Sequence, residues 1–153
     1  MKNTLDLLEG AEFTYDSSLM ARDLVPYRPQ RWQVNWETGN VAGPGSKVLE
    51  IPVSWYLDDF PALAYVGGAQ EGMADTDVVF RRWRDILDYA YDRVPNAVYA
   101  TALHPQIIGQ AHHMLMLERL IEHIKLNRKT VFGLLPASKL QNDGKTTMGT
   151  ASY

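Results

Sequence analysis

The sequence predicts an α/β fold with parallel strands, and three observations carry that prediction. Segments of strand composition alternate with helices of 3.6-residue apolar periodicity. One segment, AVYATALHPQ at 97–106, is apolar on both faces until it reaches His104, as expected of a covered parallel strand. A second, VLEIPVSWYL at 48–57, runs straight into Asp58 and Asp59. In parallel α/β folds the carboxyl ends of the strands are where chemistry is done. Both segments therefore deliver titratable groups to the expected rim of an active site.

Taken in order, the elements read as follows. Asn3 or Thr4 caps a short helix carrying Leu5, Leu7 and Leu8, which Gly10 stops. Alternation in EFTYDSS at 12–18 predicts a strand. Residues 19–46, with Pro26, Pro29, Gly39, Gly43, Pro44 and Gly45, read as one long irregular connection, of a length often put to functional use. Its tryptophans, Trp32 and Trp36, are expected to pin it to the core. Residues 47–57 form a strand by their β-branched and aromatic content, Pro52 marking a bulge or an edge. A glycine-rich loop with Gly67, Gly68 and Gly72 follows.

Over residues 76–94, Val79, Trp83, Ile86 and Ala90 recur at helical spacing, and Pro95 ends the helix they predict. A strand is expected at 98–103, then a helix over 111–126 with Met114, Leu117, Ile121 and Ile124 on its apolar stripe. Residues 130–135 read as one more strand, and 136–153, without periodicity, as a disordered polar tail. About four strands and three helices make half of an eight-stranded barrel, which takes roughly 250 residues when complete.

With 153 residues, 46% of them hydrophobic, the chain is long enough for one core. A net charge of −3 leaves no basic footprint for nucleic acid or an anionic membrane. The run RRWR at 81–84 is offset by Asp75, Asp77, Asp85 and Asp88 and reads as the wet face of a helix. The lack of cysteine excludes disulfides, thiolate metal sites and cysteine nucleophiles. No apolar run reaches the roughly 20 residues that cross a bilayer. The first ten residues lack the apolar core of a signal peptide, so the expected compartment is the cytoplasm.

Two readings of His104 stand side by side. It is either a histidine hydrogen-bonded into the end of a strand, or an imidazole that acts as general acid toward a leaving amine, with Pro105 fixing the exit of the chain. Asp58 and Asp59 are adjacent, so on an extended chain they point to opposite faces. One is expected to reach the site, where it would raise the imidazole's pKa and fix its tautomer. The other caps a turn or faces water. Trp55 is either a pocket wall or core. His112 and His113 open a helix, where the dipole favours neutral rings. Being adjacent they diverge by about 100° and do not readily share an ion. No His-x-x-x-His pair, Gly-x-Ser-x-Gly elbow or phosphate-binding loop is present, and no metal ligand is assigned.

Several segments, in this order, carry a resemblance. They are TLDLL at 4–8, YDSSLM at 15–20, Pro26-Tyr27, LEIPVSWYLDDFP at 49–61, and LHPQ at 103–106 leading into MLERLI at 116–121. Together they resemble the polysaccharide deacetylase family (NodB-homology proteins, carbohydrate esterase family four), closest to its peptidoglycan deacetylase-like and allantoinase-like branch. The resemblance covers about residues 4–132.

It implies a distorted (β/α) barrel with one divalent metal, usually zinc, which activates water against an amide carbonyl. It gives His104 the role of the late histidine that protonates the departing nitrogen, with Asp59 or Asp58 orienting it. Trp55, Tyr56, Gln106 and His112 would then line the substrate site. The family's Thr-Phe-Asp-Asp-type and His-x-x-x-His motifs are not in this sequence. Residues 1–135 are therefore expected to form the C-terminal half of such a domain, a partial (β/α) barrel that does not hold the metal by itself.

The implied function is hydrolysis of carbon–nitrogen, non-peptide bonds in N-acetylated sugars. A cyclic amide or ureide substrate, as in allantoinase-like relatives, is the alternative, and a catalytically inert fragment with a structural or binding role is a third reading. The unpaired strand edges of half a barrel invite pairing with a second copy.

Overall fold

The computed structural model describes residues 4–127. The strand at 130–135 and the polar tail lie outside the described residues.

Helix α1 (Thr4–Gly10) forms where expected. Arg31 then binds it through Asp6 and Glu9, both at 2.8 Å. The strands predicted at 12–18 and 47–57 shrink to two residues each, β1 (Tyr15–Asp16) and β4 (Leu49–Glu50) below, paired in parallel with Tyr15 opposite Leu49. Side chains cut this ladder short. Ser17 Oγ donates to the Ile51 carbonyl, and the Glu50 carboxylate takes the amides of Ser18 and Leu19. Pro52 then has no amide to continue it.

The connection at 19–46 is not irregular throughout. It contains an antiparallel hairpin, β2 (Gln30–Gln33) and β3 (Val41–Gly45). Its turn is made by Asn35, whose side-chain oxygen accepts from the amides of Glu37 and Thr38. Trp32 and Trp36 do not pin this segment to the core. They stand 57% and 93% exposed, because the hairpin is held by the backbone bond from Ser46 to Pro29 and by Arg31 rather than by its rings.

After β4 the chain makes a 3₁₀ turn (Trp55–Leu57) and a short helix α2 (Asp59–Leu63), two elements not expected from the sequence. The glycine-rich loop is a small hairpin, β5 (Tyr65–Val66) with β6 (Gln70–Glu71). Helix α3 (Thr76–Arg93) matches its prediction and is capped by the Asp75 carboxylate on the amides of Asp77 and Val78. Its buried stripe is Val79, Trp83, Leu87 and Ala90, with Ile86 half-buried at its margin.

The covered strand expected at 98–103 does not form. Its backbone bonds go to Leu24 and Leu57, leaving one parallel bridge, Asp58 to Ala102. A short helix α4 (Pro105–Ile108) then leads to α5 (Ala111–Asn127). The buried face of α5 is His113, Met116, Leu120 and Ile124, one position away from the predicted stripe at its start. Met114 is 38% exposed.

The core joins the 3₁₀ turn, α2, α3, α4 and α5 through Leu57, Leu63, Trp83, Ile107, Met116 and Leu120. The described residues thus form a mixed α/β fold with three separate two-stranded sheets and no closed barrel. Within them, no helix is long and apolar enough to cross a membrane.

Candidate active site

Two short segments meet on top of this core. Residues 57–59 and 102–104 exchange backbone bonds, Ala102 N–H to Leu57 and Asp59 N–H to Ala102. Leu57 opens one segment, Ile107 and Ile108 follow the other, and all three are buried. The site therefore rests on packed side chains rather than on a free loop. Gly109 closes α4 so tightly that a Cβ there would sit 2.5 Å from the Pro105 carbonyl oxygen.

Asp59 is fully buried and spends both carboxylate oxygens on His104. The His104 amide donates to them at 2.9 and 3.1 Å, and ring Nδ1 lies 2.6 Å from Oδ1. Facing a carboxylate, Nδ1 carries the hydrogen, which leaves Nε2 as the outward nitrogen of a ring 39% exposed. The hydrogen bond to Asp59 raises the His104 pKa; burial opposes it, and the charges of Asp59 and Asp58 reinforce it. The Phe60 ring, 5.6 Å away, flanks the imidazole.

Asp58 takes on both tasks that the sequence divided between the two aspartates. Its Oδ1 caps α2 by accepting from the Phe60 amide at 2.8 Å, and it also lies 3.7 Å from His104 Nδ1. Strand alternation fails here because Asp58 is extended while Asp59 begins a helix, which turns both carboxylates to one side.

Trp55 and Tyr56, each 67% exposed, border a cavity of about 400 Å³ together with Met20, Pro61 and Arg82. Gln106 is exposed on α4, where its carbonyl accepts from the Gln110 side chain. His112 is exposed and rests against His113, ring centroids 4.0 Å apart, while buried His113 bonds the Ile107 carbonyl at 2.7 Å.

One buried acid went unread in the sequence. Glu50 is fully buried, takes the Ser18 and Leu19 amides on Oε1 at 2.8 and 2.7 Å, and leaves Oε2 without a partner among the described residues. Burial raises its pKa. A charge between Val48, Leu49 and Ile51 was the available signal.

Over 134 residues, 79% of this chain and 46% of the relative, the sequence is 30% identical to a peptidoglycan deacetylase from Helicobacter pylori. A peptidoglycan deacetylase-like protein from Gibberella zeae is 22% identical over 142 residues, 80% of this chain and 42% of that protein. The chain is similar in sequence to peptidoglycan deacetylases.

It spans less than half the length of these two deacetylase relatives. In fold, 79% of it matches 38% of a Mycobacterium smegmatis structure assigned to the polysaccharide deacetylases, with a TM-score of 0.60 at 24% identity. It also matches 35% of Puue allantoinase over 78% of its own length, with a TM-score of 0.53 at 24% identity. No protein-family model matches the chain.

For the divalent metal that the resemblance implies, the described residues offer one group of donors. Asp58, Asp59 and His104 each offer a ligand atom, all within 4.8 Å of one another. The grouping suits a divalent ion in residue type but not as built. Both Asp59 oxygens already accept from His104, and Asp58 Oδ1 already caps Phe60. The 2.6 Å between His104 Nδ1 and Asp59 Oδ1 is a hydrogen-bond distance, too short for two ligands around one ion that binds each at about 2.0–2.2 Å in tetrahedral geometry. The three residues form an imidazole with its carboxylate holders, not a metal centre.

Proposed function

We propose that this chain supplies the acid-bearing wall of a polysaccharide deacetylase-type site, acting on the amide of an N-acetylated sugar within a partial (β/α) barrel. The observation that carries this reading is the two-point hold of Asp59 on His104. A histidine serving only as structure needs one hydrogen-bond partner; this one is fixed in rotation and tautomer and presents Nε2 outward. In amide hydrolysis, water adds to the acyl carbon, the carbon–nitrogen bond breaks, and the departing nitrogen must gain a proton. His104 Nε2 gives that proton, while Asp59 stabilises the imidazolium beforehand and keeps it populated at higher pH. Trp55 and Tyr56 flank the same segment and offer aromatic surface to a sugar. No step here runs through a metal.

The test is to titrate the chain with an N-acetylglucosamine oligomer, its deacetylated counterpart and allantoin, while following the His104 imidazole by NMR. The N-acetylated oligomer is expected to shift the Nε2 resonance more than the deacetylated one. A folded chain whose His104 ignores both sugars contradicts the proposal, and a response to allantoin alone selects the cyclic ureide alternative.

A further inference from the structure

Beneath residues 17–21, where β1 and β4 end, lies a buried acid that the proposed chemistry does not use. The Glu50 backbone is fixed in place: its amide donates to the Tyr27 carbonyl at 2.8 Å, its carbonyl accepts from the Tyr27 amide at 3.1 Å, and the next amide, of Ile51, donates to Asp16. Register sets Asp16 and Tyr27 directly opposite Glu50, and such partners share one face. All three reach the same covering segment. Glu50 Oε1 accepts from the Ser18 and Leu19 amides, the Tyr27 hydroxyl from the Ala21 amide, and the Asp16 carboxylate from the Ser18 hydroxyl. We propose that Glu50 is a proton-operated latch on residues 17–21, holding the segment down as the neutral acid and releasing it as the carboxylate.

Three features argue for the latch. The first is where the structure can give. Glu50 is fully buried beside buried Val48 and Ile51, whereas every residue from 17 to 21 is exposed. A charge on Glu50 is therefore relieved by lifting the cover, not by moving the strand. The second is hydrogen bonding. A neutral carboxyl keeps Oε1 as an acceptor and asks of Oε2 one acceptor, which the facing Asp16 can supply. A carboxylate leaves Oε2 bare, since it has no partner among the described residues, and a buried unpaired acceptor is costly. The third is charge. Asp16 is the charged group facing Glu50 from β1, Tyr27 is the titratable group on the bridging segment, and residues 17–21 carry none. Arg28, next to Tyr27, donates to the Lys47 carbonyl instead. Burial raises the Glu50 pKa; the Leu19 and Ser18 amides oppose the rise, and Asp16 adds to it. The hold is thus full below the ordinary value of 4.5 and is lost as pH rises through the raised one. Met20 belongs to this segment and borders the cavity beside Trp55, so the latch governs one wall of that cavity. None of this depends on the saccharide reading.

The experiment is amide hydrogen exchange of the whole chain by NMR from acid to neutral pH, each rate divided by that of an unstructured peptide at the same pH. Protection of Ser18 and Leu19 is expected to fall as pH rises, by at most about tenfold per pH unit for one proton. The Leu49 and Glu50 amides, bonded to Thr14 and Tyr27, should keep theirs. Glu50→Gln should make Ser18 and Leu19 protection independent of pH and higher than wild type at neutral pH. Asp16→Asn keeps an acceptor for Ser18 but removes the like charge, so its fall should be smaller. Wild-type protection that does not change with pH, or a fall that persists in Glu50→Gln, would overturn the latch. Equal loss at Leu49 and Glu50 would also overturn it, because the ladder and not the cover would then be opening. The wild-type profile decides the first and third of these outcomes without any variant.

Discussion

Asp59 holds His104 by its backbone amide and by its ring at once, from a position with no solvent exposure. One carboxylate thus fixes both where the histidine stands and how its ring is turned. This makes stability depend on pH. The folded-state pKa of His104 is raised, so the pair's contribution is full below the free imidazole value of about 6.5 and is lost as pH rises through the raised value. Urea melts across that window should show wild type losing more stability with rising pH than His104→Ala.

Trp83 links the core to Tyr56, which borders the cavity beside Trp55. Trp83→Phe keeps an aromatic ring but removes the donor to the Tyr56 carbonyl. The expected loss is about 1–3 kcal/mol in a denaturant melt, with the His104 titration unmoved. Trp83→Ala should cost more, about 3–5 kcal/mol.

Glu50 opposes folding when charged. Its pKa is raised by burial, so it contributes no penalty below the ordinary carboxylate value and a growing one as pH rises through the raised value. Glu50→Gln keeps an oxygen for the Ser18 and Leu19 amides and removes the charge. It is expected to be more stable than wild type at neutral pH, with the gain vanishing in acid. Glu50→Ala strands both amides and should be less stable than wild type, by about 1–3 kcal/mol.

At the opposite end, Glu9 is held down to about 2, first by the Ser46 hydroxyl, then by the Lys47 amide and Arg31. A lowered acid contributes stability that is present above its ordinary value of 4.5 and is lost as pH falls toward about 2. Ser46→Ala should raise the Glu9 carboxylate titration, read by NMR, and shift acid unfolding to higher pH.

The three longer helices were legible in the sequence because apolar spacing is a local signal, and His104 stood out as a candidate because an isolated histidine follows an apolar run. Helix α3 was read nearly to the residue, whereas both Asp58 and Asp59 stand beside His104 where alternation predicted only one of them. The strands were not legible to the same degree. Residues 98–103 have strand composition, yet their hydrogen bonds are divided between Leu24 and the 57–59 turn, a long-range choice that periodicity does not encode. The hairpin at Asn35 depends on one side-chain oxygen capping two amides, and Trp36 stays exposed in spite of its size. The placement of Asp58 required knowing that a helix begins at Asp59.

The most direct measurement is a ¹⁵N NMR pH titration of the His104 imidazole in wild type and in Asp59→Asn. The expected result is a neutral form protonated at Nδ1 and a pKa above the free value of about 6.5 in wild type, falling in Asp59→Asn. A wild-type ring protonated at Nε2 in its neutral form, or a pKa that Asp59→Asn leaves unchanged, would contradict the assignment of His104 as an acid oriented by Asp59.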